Sequence, residues 1–565
     1  MKPQPHRLSK ALAVALMCSS AAVAAQPAAD NATANLIRLL VEQGVLQPEQ
    51  AAALLKQAQS EAAAATVRAS GAQPGDVRVP YIPQTVRDQI REEVKQEVMA
   101  TAKSENWAAP NTFPDWVSRI TVDGDVRVRF ENRGFSSGNS PEITDLARFN
   151  ERGPYEVASI NSVGSPLLAS PPLLNTRQNR NNQLRFRARL GVKAQLSDQW
   201  SAGVRLASGS SKSPVSTTDN FGGGFSKKDF WLDQVWLNYK PASWASLTAG
   251  RASNPFVSTD ILYSSDLNFD GVSAVFSKPL PDSPFALRGA LGAFLIENTH
   301  NPGEPGVRDI HGGSEGESKT KWLLGAQIGG DWKISAEQQL GAHVAYYTFR
   351  NIEGQLSEPC YWYQSVCSTD WSRPAFMQKG NTLFYLRDLI PPAPGEAGSL
   401  HQYVGLASKF NLLDLNLNWK GRVGNGLGLM VSGNYIRNLA YSTSRMEDRI
   451  GHSVVVNNVD EDDYLRSGGN AWMIHAALGK NYSVVDRGDW QVFAGYKYIQ
   501  PDAVPDAYND STFHLGGTNA KGYYLGAAYA IEKNVVGQLR WTSSREIYGS
   551  PLSINVMQLE LNARF

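Results

Sequence analysis

The feature that most constrains this chain is a strict alternation of apolar and polar residues along unusually long segments. In residues 120–130, apolar residues and Gly124 occupy the even positions, whereas Thr, Asp and Arg occupy the odd ones, and residues 183–196 repeat the pattern. Because successive side chains of a strand point to opposite faces, each such strand lies between an apolar and an aqueous environment. Strands of soluble sandwiches are usually about five or six residues long. Segments of ten to fourteen residues match tilted transmembrane strands instead.

The same pattern recurs along the rest of the chain and predicts sixteen strands. They lie near 119–130, 183–196, 200–208, 229–240, 244–251, 268–278, 284–297, 321–333, 339–350, 407–420, 427–438, 470–480, 489–500, 520–531, 534–543 and 554–565. Short and long connections alternate between them, which is typical of outer-membrane barrels. We therefore expect an all-β fold, a transmembrane antiparallel barrel of about sixteen strands over residues 117–565. An even strand number leaves both chain ends on the short-turn, periplasmic side.

Composition excludes several other classes of protein. The sequence holds no run of 18 uninterrupted apolar residues, which argues against a helical membrane bundle. The formal net charge of +1 argues against a nucleic-acid partner, since such proteins usually carry a basic face. Three cysteines in 565 residues are too few for a disulfide-stapled scaffold.

The first 116 residues differ in pattern from the barrel. Lys2, Arg7 and Lys10 precede a short apolar stretch that ends in small residues at Ala25, which predicts a signal peptide over 1–25. Residues 26–116 show helical periodicity interrupted by a Pro- and Gly-rich linker. We expect a helical periplasmic segment there, and a charged spacer without specific contacts is an equally open alternative.

The polar faces of the first three strands are strongly basic. A lipid-facing arginine at the bilayer midplane costs about 2–4 kcal/mol, so these side chains are expected to point into the lumen. The predicted pore-lining residues are Arg127, Arg129, Arg185, Arg187, Arg189, Lys193 and Arg205. One interpretation is a basic wall that favours anions, and the other is a salt-bridged wall with little selectivity. Loop 252–267, with Asp260, Asp266 and the nearby Asp270, is a candidate for folding inward and supplying acidic partners.

The remaining chemistry of the sequence is sparse. Cys360 and Cys367 lie in the longest predicted loop, where an oxidising envelope favours a disulfide between them. Two cysteines alone are poor zinc ligands, because zinc sites normally need four. The sequence shows no P-loop and no zinc-protease motif. We therefore expect no catalytic residue, no metal and no cofactor.

Several segments resemble those of the bacterial outer-membrane "putative porin" family. They are Arg-Phe-Arg-Ala-Arg-Leu-Gly at 185–191, Gly-Arg-Ala-Ser-Asn-Pro-Phe at 250–256 and Asp-Leu-Asn-Phe-Asp-Gly-Val at 266–272. The last strand, which alternates and finishes at Phe565, is similar to the final strand of porins. The resemblance covers roughly 114–565 and implies a signal, a helical prefix and an outer-membrane barrel. It implies no particular substrate, and no catalytic residue carries over.

The function expected from these observations is passive diffusion of small hydrophilic solutes or ions through a water-filled barrel, with a mild preference for anions. Expected partners are outer-membrane lipid and those solutes, and a homo-oligomer such as a trimer stays open. One alternative is an adhesion or structural barrel that acts through its long loops. The other is a barrel hydrolase, although no catalytic cluster is visible in the sequence.

Overall fold

The computed structural model describes residue 56 and residues 115–151, 153–161, 166–169, 171–298 and 319–565. The signal peptide expected over 1–25 and nearly all of the helical segment expected over 26–116 lie outside these residues. A one-turn helix, α1 (Asp115–Ser118), leads into the first strand. The barrel strands are β1 (Ile120–Phe135), β2 (Arg180–Gln195), β3 (Trp200–Ala207), β4 (Trp231–Ala242), β5 (Ala245–Ser253), β6 (Asn268–Pro279), β7 (Phe285–Glu297), β8 (Lys321–Lys333), β9 (Gln338–Arg350), β10 (Asn411–Val423), β11 (Leu427–Asn438), β12 (Asn470–Gly479), β13 (Trp490–Ile499), β14 (Ala520–Glu532), β15 (Val535–Glu546) and β16 (Ser553–Arg564).

These strands form one closed antiparallel sheet. Each pairs with its neighbours in chain order, and β16 returns to pair with β1, with Arg127 opposite Asn562. Gly124 and Phe565 exchange two backbone hydrogen bonds, of 3.0 and 3.1 Å, at the end of this seam. Closure satisfies the backbone groups that an open edge would expose to lipid. The predicted fold class, a sixteen-stranded antiparallel barrel, is confirmed.

One strand boundary differs from the prediction for an identifiable reason. Strand β10 begins at Asn411 rather than at 407, because the loop sheet formed by Val404–Leu406 and Leu383–Tyr385 continues to Ala407, whose backbone N–H donates to the carbonyl of Thr382 at 2.8 Å. Strand β3 is as short as predicted, and Asp219–Asn220 of the following loop pairs with β2 beyond its end. Alternation alone does not distinguish barrel pairing from pairing within a loop.

The exposure pattern of the two faces of the sheet differs from that of a soluble barrel. Val122 on β1 is 54% exposed, whereas Asp125 and Arg129 on the same strand are only 5% and 6% exposed. The outer face is therefore apolar and suited to lipid. The inner face carries charged side chains such as these together with buried apolar ones, such as Phe349 on β9, that pack against the loops inside the barrel.

The long connections carry structure of their own. Helix α2 (Thr443–Ile450) begins at Ser442, whose hydroxyl accepts a hydrogen bond from the backbone N–H of Arg445. Its Met446 and Ile450 pack against Phe384 and Leu386 from another loop. No helix in the described part of the chain is long and apolar enough to cross a membrane.

Candidate functional site

The predicted basic residues lie side by side on the inner face of β1 to β3. The β1–β2 register places Arg127 opposite Arg187 and Arg129 opposite Arg185. Directly opposed like charges destabilise a strand pair unless other charges compensate them. The structure therefore has to supply carboxylates to this part of the wall.

Each of the seven predicted cations contacts a carboxylate. The nitrogen–oxygen distances are 3.9 Å for Arg127–Glu560, 2.5 Å for Arg129–Glu560, 3.3 Å for Arg185–Glu131, 2.7 Å for Arg187–Asp125, 2.5 Å for Arg189–Asp125, 3.0 Å for Lys193–Asp123 and 2.6 Å for Arg205–Asp233. Of the two interpretations that the sequence left open, this geometry matches the salt-bridged wall. Whether these residues contact a permeating solute stays a prediction.

The network nevertheless keeps an excess of positive charge. Arg133 joins it through Glu131, at 2.8 Å, and Asp266 joins it from a loop. Within the described residues the network thus holds eight cations and six carboxylates, an excess of two positive charges when all are ionised. Because the surrounding wall has a low dielectric constant, such an excess acts on ions in the lumen more strongly than it would in bulk water.

Residues 254–267, which we call the crossing loop, fold into the barrel between β5 and β6. On one side Asp266 lies 3.4 Å from the guanidinium groups of both Arg187 and Arg189. Asp266 also accepts hydrogen bonds from the backbone N–H and hydroxyl of Thr217, at 3.0 and 2.9 Å. The crossing loop therefore supplies one of the carboxylates that the β2 cations require.

The crossing loop is also attached to the far side of the barrel. Asp260 lies 2.6 Å from the Nζ of Lys497 on β13. The backbone of Val257 exchanges two hydrogen bonds of 2.8 Å with the side chain of Gln327 on β8. Because β2 lies far from both β8 and β13 around the ring, the loop spans the interior.

Apolar packing holds the middle of the crossing loop. Ile261, Leu262 and Tyr263 are almost completely buried. Tyr347 on β9 makes edge-to-face contacts with Tyr263 and with Phe256, with ring centroids 5.5 and 5.0 Å apart. The loop is therefore a fixed part of the interior that narrows the lumen against one wall.

Sequence reasoning missed two cations on the inner wall outside β1 to β3, Lys497 on β13 and Arg540 on β15. Lys497 is 1% exposed and lies between Asp260 and Asp510, and the Arg540 guanidinium lies 4.6 Å from the ring centroid of Tyr524. Alternation offered a signal for both, since each is flanked in its strand by apolar or aromatic residues.

The two loop cysteines are joined. A disulfide links Cys360 and Cys367, whose Cα atoms are 6.0 Å apart. Both residues are buried in the loop region rather than exposed. The nearby Asp370 forms a buried ion pair of 2.6 Å with Arg387, so the bridge belongs to a packed layer of loops.

His475 on β12 has a tyrosine hydroxyl as its hydrogen-bond partner. Its Nδ1 lies 2.9 Å from the hydroxyl of Tyr524. Among the residues that the structure describes, no group of three or more His, Cys, Asp or Glu is placed to hold a metal ion. The charged wall and the crossing loop are the main polar features that line the interior near β1 to β3.

Comparison with known proteins gives the chain its family. No curated protein matches the sequence. Similar solved structures include OprB of Pseudomonas putida at high pH, 10% identical with a TM-score of 0.39 over 80% of this chain and 95% of that one. The outer-membrane channel DcaP of Acinetobacter baumannii is 8% identical with a TM-score of 0.33, over 79% of this chain and 97% of that one. The trimer form of OmpT, an outer-membrane protein of Vibrio cholerae, is 10% identical with a TM-score of 0.34, over 79% and 99%. Likenesses of this degree support no inference about function. The family described as Putative porin matches residues 30–565, and the chain belongs to that family.

Proposed function

We propose that this protein is an outer-membrane porin through which small hydrophilic solutes and ions diffuse passively, with a mild preference for anions. Family membership and the closed barrel support an outer-membrane channel. The observation that carries the finer proposal is the charged inner wall faced by the crossing loop. A polar lumen narrowed by a fixed loop selects solutes by size and charge without bond chemistry, so the protein is not an enzyme in this proposal.

The proposal includes placement and assembly. Residues 1–25 are a signal peptide, residues 26–116 are a helical periplasmic segment, and the barrel begins at about 117. The exposed apolar side chains of the outer face, such as Val122 and Leu415, contact outer-membrane lipid. The protein assembles as a homotrimer, which cross-linking in intact membranes would capture as a threefold increase in mass.

The direct test is conductance and solute uptake by the purified protein. In planar bilayers we expect stepwise ion currents, and in liposomes we expect swelling with small sugars that weakens as sugar size rises. The excess of two positive charges along the wall predicts that anions permeate more readily than cations. The sign of the reversal potential in a salt gradient should show this preference, and screening should reduce it at high ionic strength. Absence of both conductance and swelling in folded protein would overturn the channel and favour an adhesion or structural barrel.

A further inference from the structure

A polar cavity of about 610 Å³ lies on the inner face of β1 to β6, bounded on one side by Asn254 and Pro255 of the crossing loop. It reaches the short-turn ends of these strands at Arg119, Gln195 and Lys240. It is spatially separate from the Arg127–Glu560 part of the wall. Its size is that of an ordinary small-molecule site.

One large aromatic residue, Trp236 on β4, lies on the inner wall of this cavity. The register places Gly203 of β3 on one side of Trp236 and Gly250 of β5 on the other. A Cβ atom at Gly203 would lie 2.4 Å from the indole ring, so the ring covers that glycine. Gly250 has a φ of +114°, which disfavours any side chain at that position. The two glycines leave the indole free to lie along the wall as a flat apolar surface.

The charges around this surface are predominantly positive. Arg119, Lys193, Arg205 and Lys240 line the cavity together with the single acid Asp123. Lys193 contacts Asp123 at 3.0 Å and Arg205 contacts Asp233 at 2.6 Å. Arg119 and Lys240 are exposed, and neither forms an ion pair with the residues that the structure describes. The site therefore combines a flat apolar surface with uncompensated positive charge.

We propose that this cavity binds small organic anions that carry a flat apolar ring. The ring lies against Trp236, and the anionic group lies among Lys193, Arg205 and Lys240. A neutral sugar would use the indole and leave the cations unused, whereas a small inorganic anion would use the cations and leave the indole bare. This inference deepens the proposed porin function and rests on it, since it names the class of solute that the channel favours.

The test uses the full-length protein in planar bilayers, with benzoate as the simplest probe. Acetate has the charge without the ring, and benzyl alcohol has the ring without the charge. In a constant chloride background, benzoate should reduce the ion current at about a tenfold lower concentration than acetate, which a stacking contact of ordinary strength provides. Benzyl alcohol should produce no such reduction.

Substitutions separate the ring contact from the charge contact. Trp236→Ala should raise the half-blocking concentration of benzoate to that of acetate. Trp236→Phe should retain most of the difference between the half-blocking concentrations of the two anions. Lys240→Gln should raise the half-blocking concentrations of both benzoate and acetate. The matched control is Trp472→Ala, because Trp472 lies on β12 with its side chain 40% exposed on the outer face, and it should change neither value.

Calorimetric titration of the folded, detergent-solubilised protein with benzoate measures the same site without ion flow. Benzoate binding that depends on Trp236 in this titration would support the inference even if the protein showed no conductance. Absence of conductance would contradict only the porin proposal. Equal block by benzoate and acetate in the unmodified channel would overturn the inference and leave the channel standing. Unchanged benzoate binding in folded Trp236→Ala and Trp236→Phe protein would overturn it as well.

Discussion

At the scale of single residues, the charges of the barrel wall act in shared groups. Arg187 and Arg189 both contact Asp125 on β1, and both approach Asp266 of the crossing loop. Removing one of these cations therefore takes away a positive charge and also leaves its carboxylate partners with one ion pair fewer. Selectivity should respond to such changes more strongly than the small excess of charge suggests.

The triple variant Arg185→Gln, Arg187→Gln, Arg189→Gln tests this sharing. It leaves Asp125 and Asp266 without these partners, so the reversal potential in a salt gradient should move toward cation preference. Arg487→Gln is the matched control, because Arg487 pairs with Glu532 where both side chains are well exposed, 76% and 62%, and it should cause no shift. An unchanged reversal potential in the triple variant would contradict a role of this wall in selectivity.

Asp506, in the loop between β13 and β14, should make the loop layer sensitive to pH. Burial raises the pKa of Asp506 to about 7, and the nearby Asp502 carboxyl adds to the rise. The folded carboxyl keeps its proton up to about pH 7, whereas the unfolded one loses it near its ordinary value of 3.8. Between these values the unfolded state binds fewer protons, so the free energy of unfolding falls as pH rises, by at most about 1.4 kcal/mol per pH unit.

The measurement is protease cleavage of residues 500–519 at pH 5 and pH 8. Cleavage should be faster at pH 8 in the unmodified protein, and Asp506→Asn should reduce the ratio of the two rates. The same ratio in both proteins would show that Asp506 does not control this loop. Lys379 favours the ionised carboxylate of Asp506, so Lys379→Met should enlarge the pH effect.

The disulfide between Cys360 and Cys367 should be present in protein from cells and should contribute little to the barrel itself. Mass spectrometry of the unreduced protein should find the cross-linked peptide. Replacing both cysteines by Ser should leave the melting midpoint of the barrel nearly unchanged, because the short loop that the bridge closes lies outside the barrel sheet. Two freely alkylated thiols in the native protein would contradict the pairing.

At the scale of elements, the crossing loop behaves as part of the wall rather than as a flexible connection. It is attached to β2 through Asp266, to β8 through Val257 and to β13 through Asp260. Its buried aromatic contacts add a hydrophobic contribution to these polar attachments. Loosening one attachment should therefore increase the fluctuations of the loop without unfolding it.

Asp260→Asn should produce that effect. It removes the ion pair with Lys497 and leaves Asp510 as the remaining carboxylate near the ammonium group, at 3.5 Å. Open-channel current noise should rise while the melting midpoint changes little. Asp270→Asn is the control, since Asp270 pairs with Arg251 at an exposed site on the neighbouring strands. Equal noise in both variants would show that the Asp260 attachment does not restrain the loop.

At the scale of the whole molecule, the inverted distribution of polarity determines where the chain lies. Apolar side chains such as Leu415 are exposed, whereas polar groups such as Asp414 and Asn434 are buried. The alternation of short turns and long loops gives the barrel its direction in the membrane. In the proposed orientation, both ends of the barrel domain face the periplasm.

Protease treatment of intact cells tests this orientation. Added protease should cut only within the long loops and should spare residues 26–116. Permeabilising the outer membrane should expose the linker around Pro74 to cleavage. Cleavage near Pro74 before permeabilisation would contradict the proposed topology.

The sequence by itself determined the barrel, its sixteen strands, the two sides of its connections and the inward direction of Arg127 or Arg187. These follow from the two-residue period of a strand, a local property that any contiguous segment displays. The tertiary structure alone decided which carboxylates meet those cations. Arg129 contacts Glu560 and Arg187 contacts Asp266 only because the barrel closes and the loop turns inward. It also kept Ala407 in a loop sheet, so that the barrel strand predicted from 407 begins at Asn411. Such pairings join residues far apart in the chain, and neither period nor composition contains the distances between them.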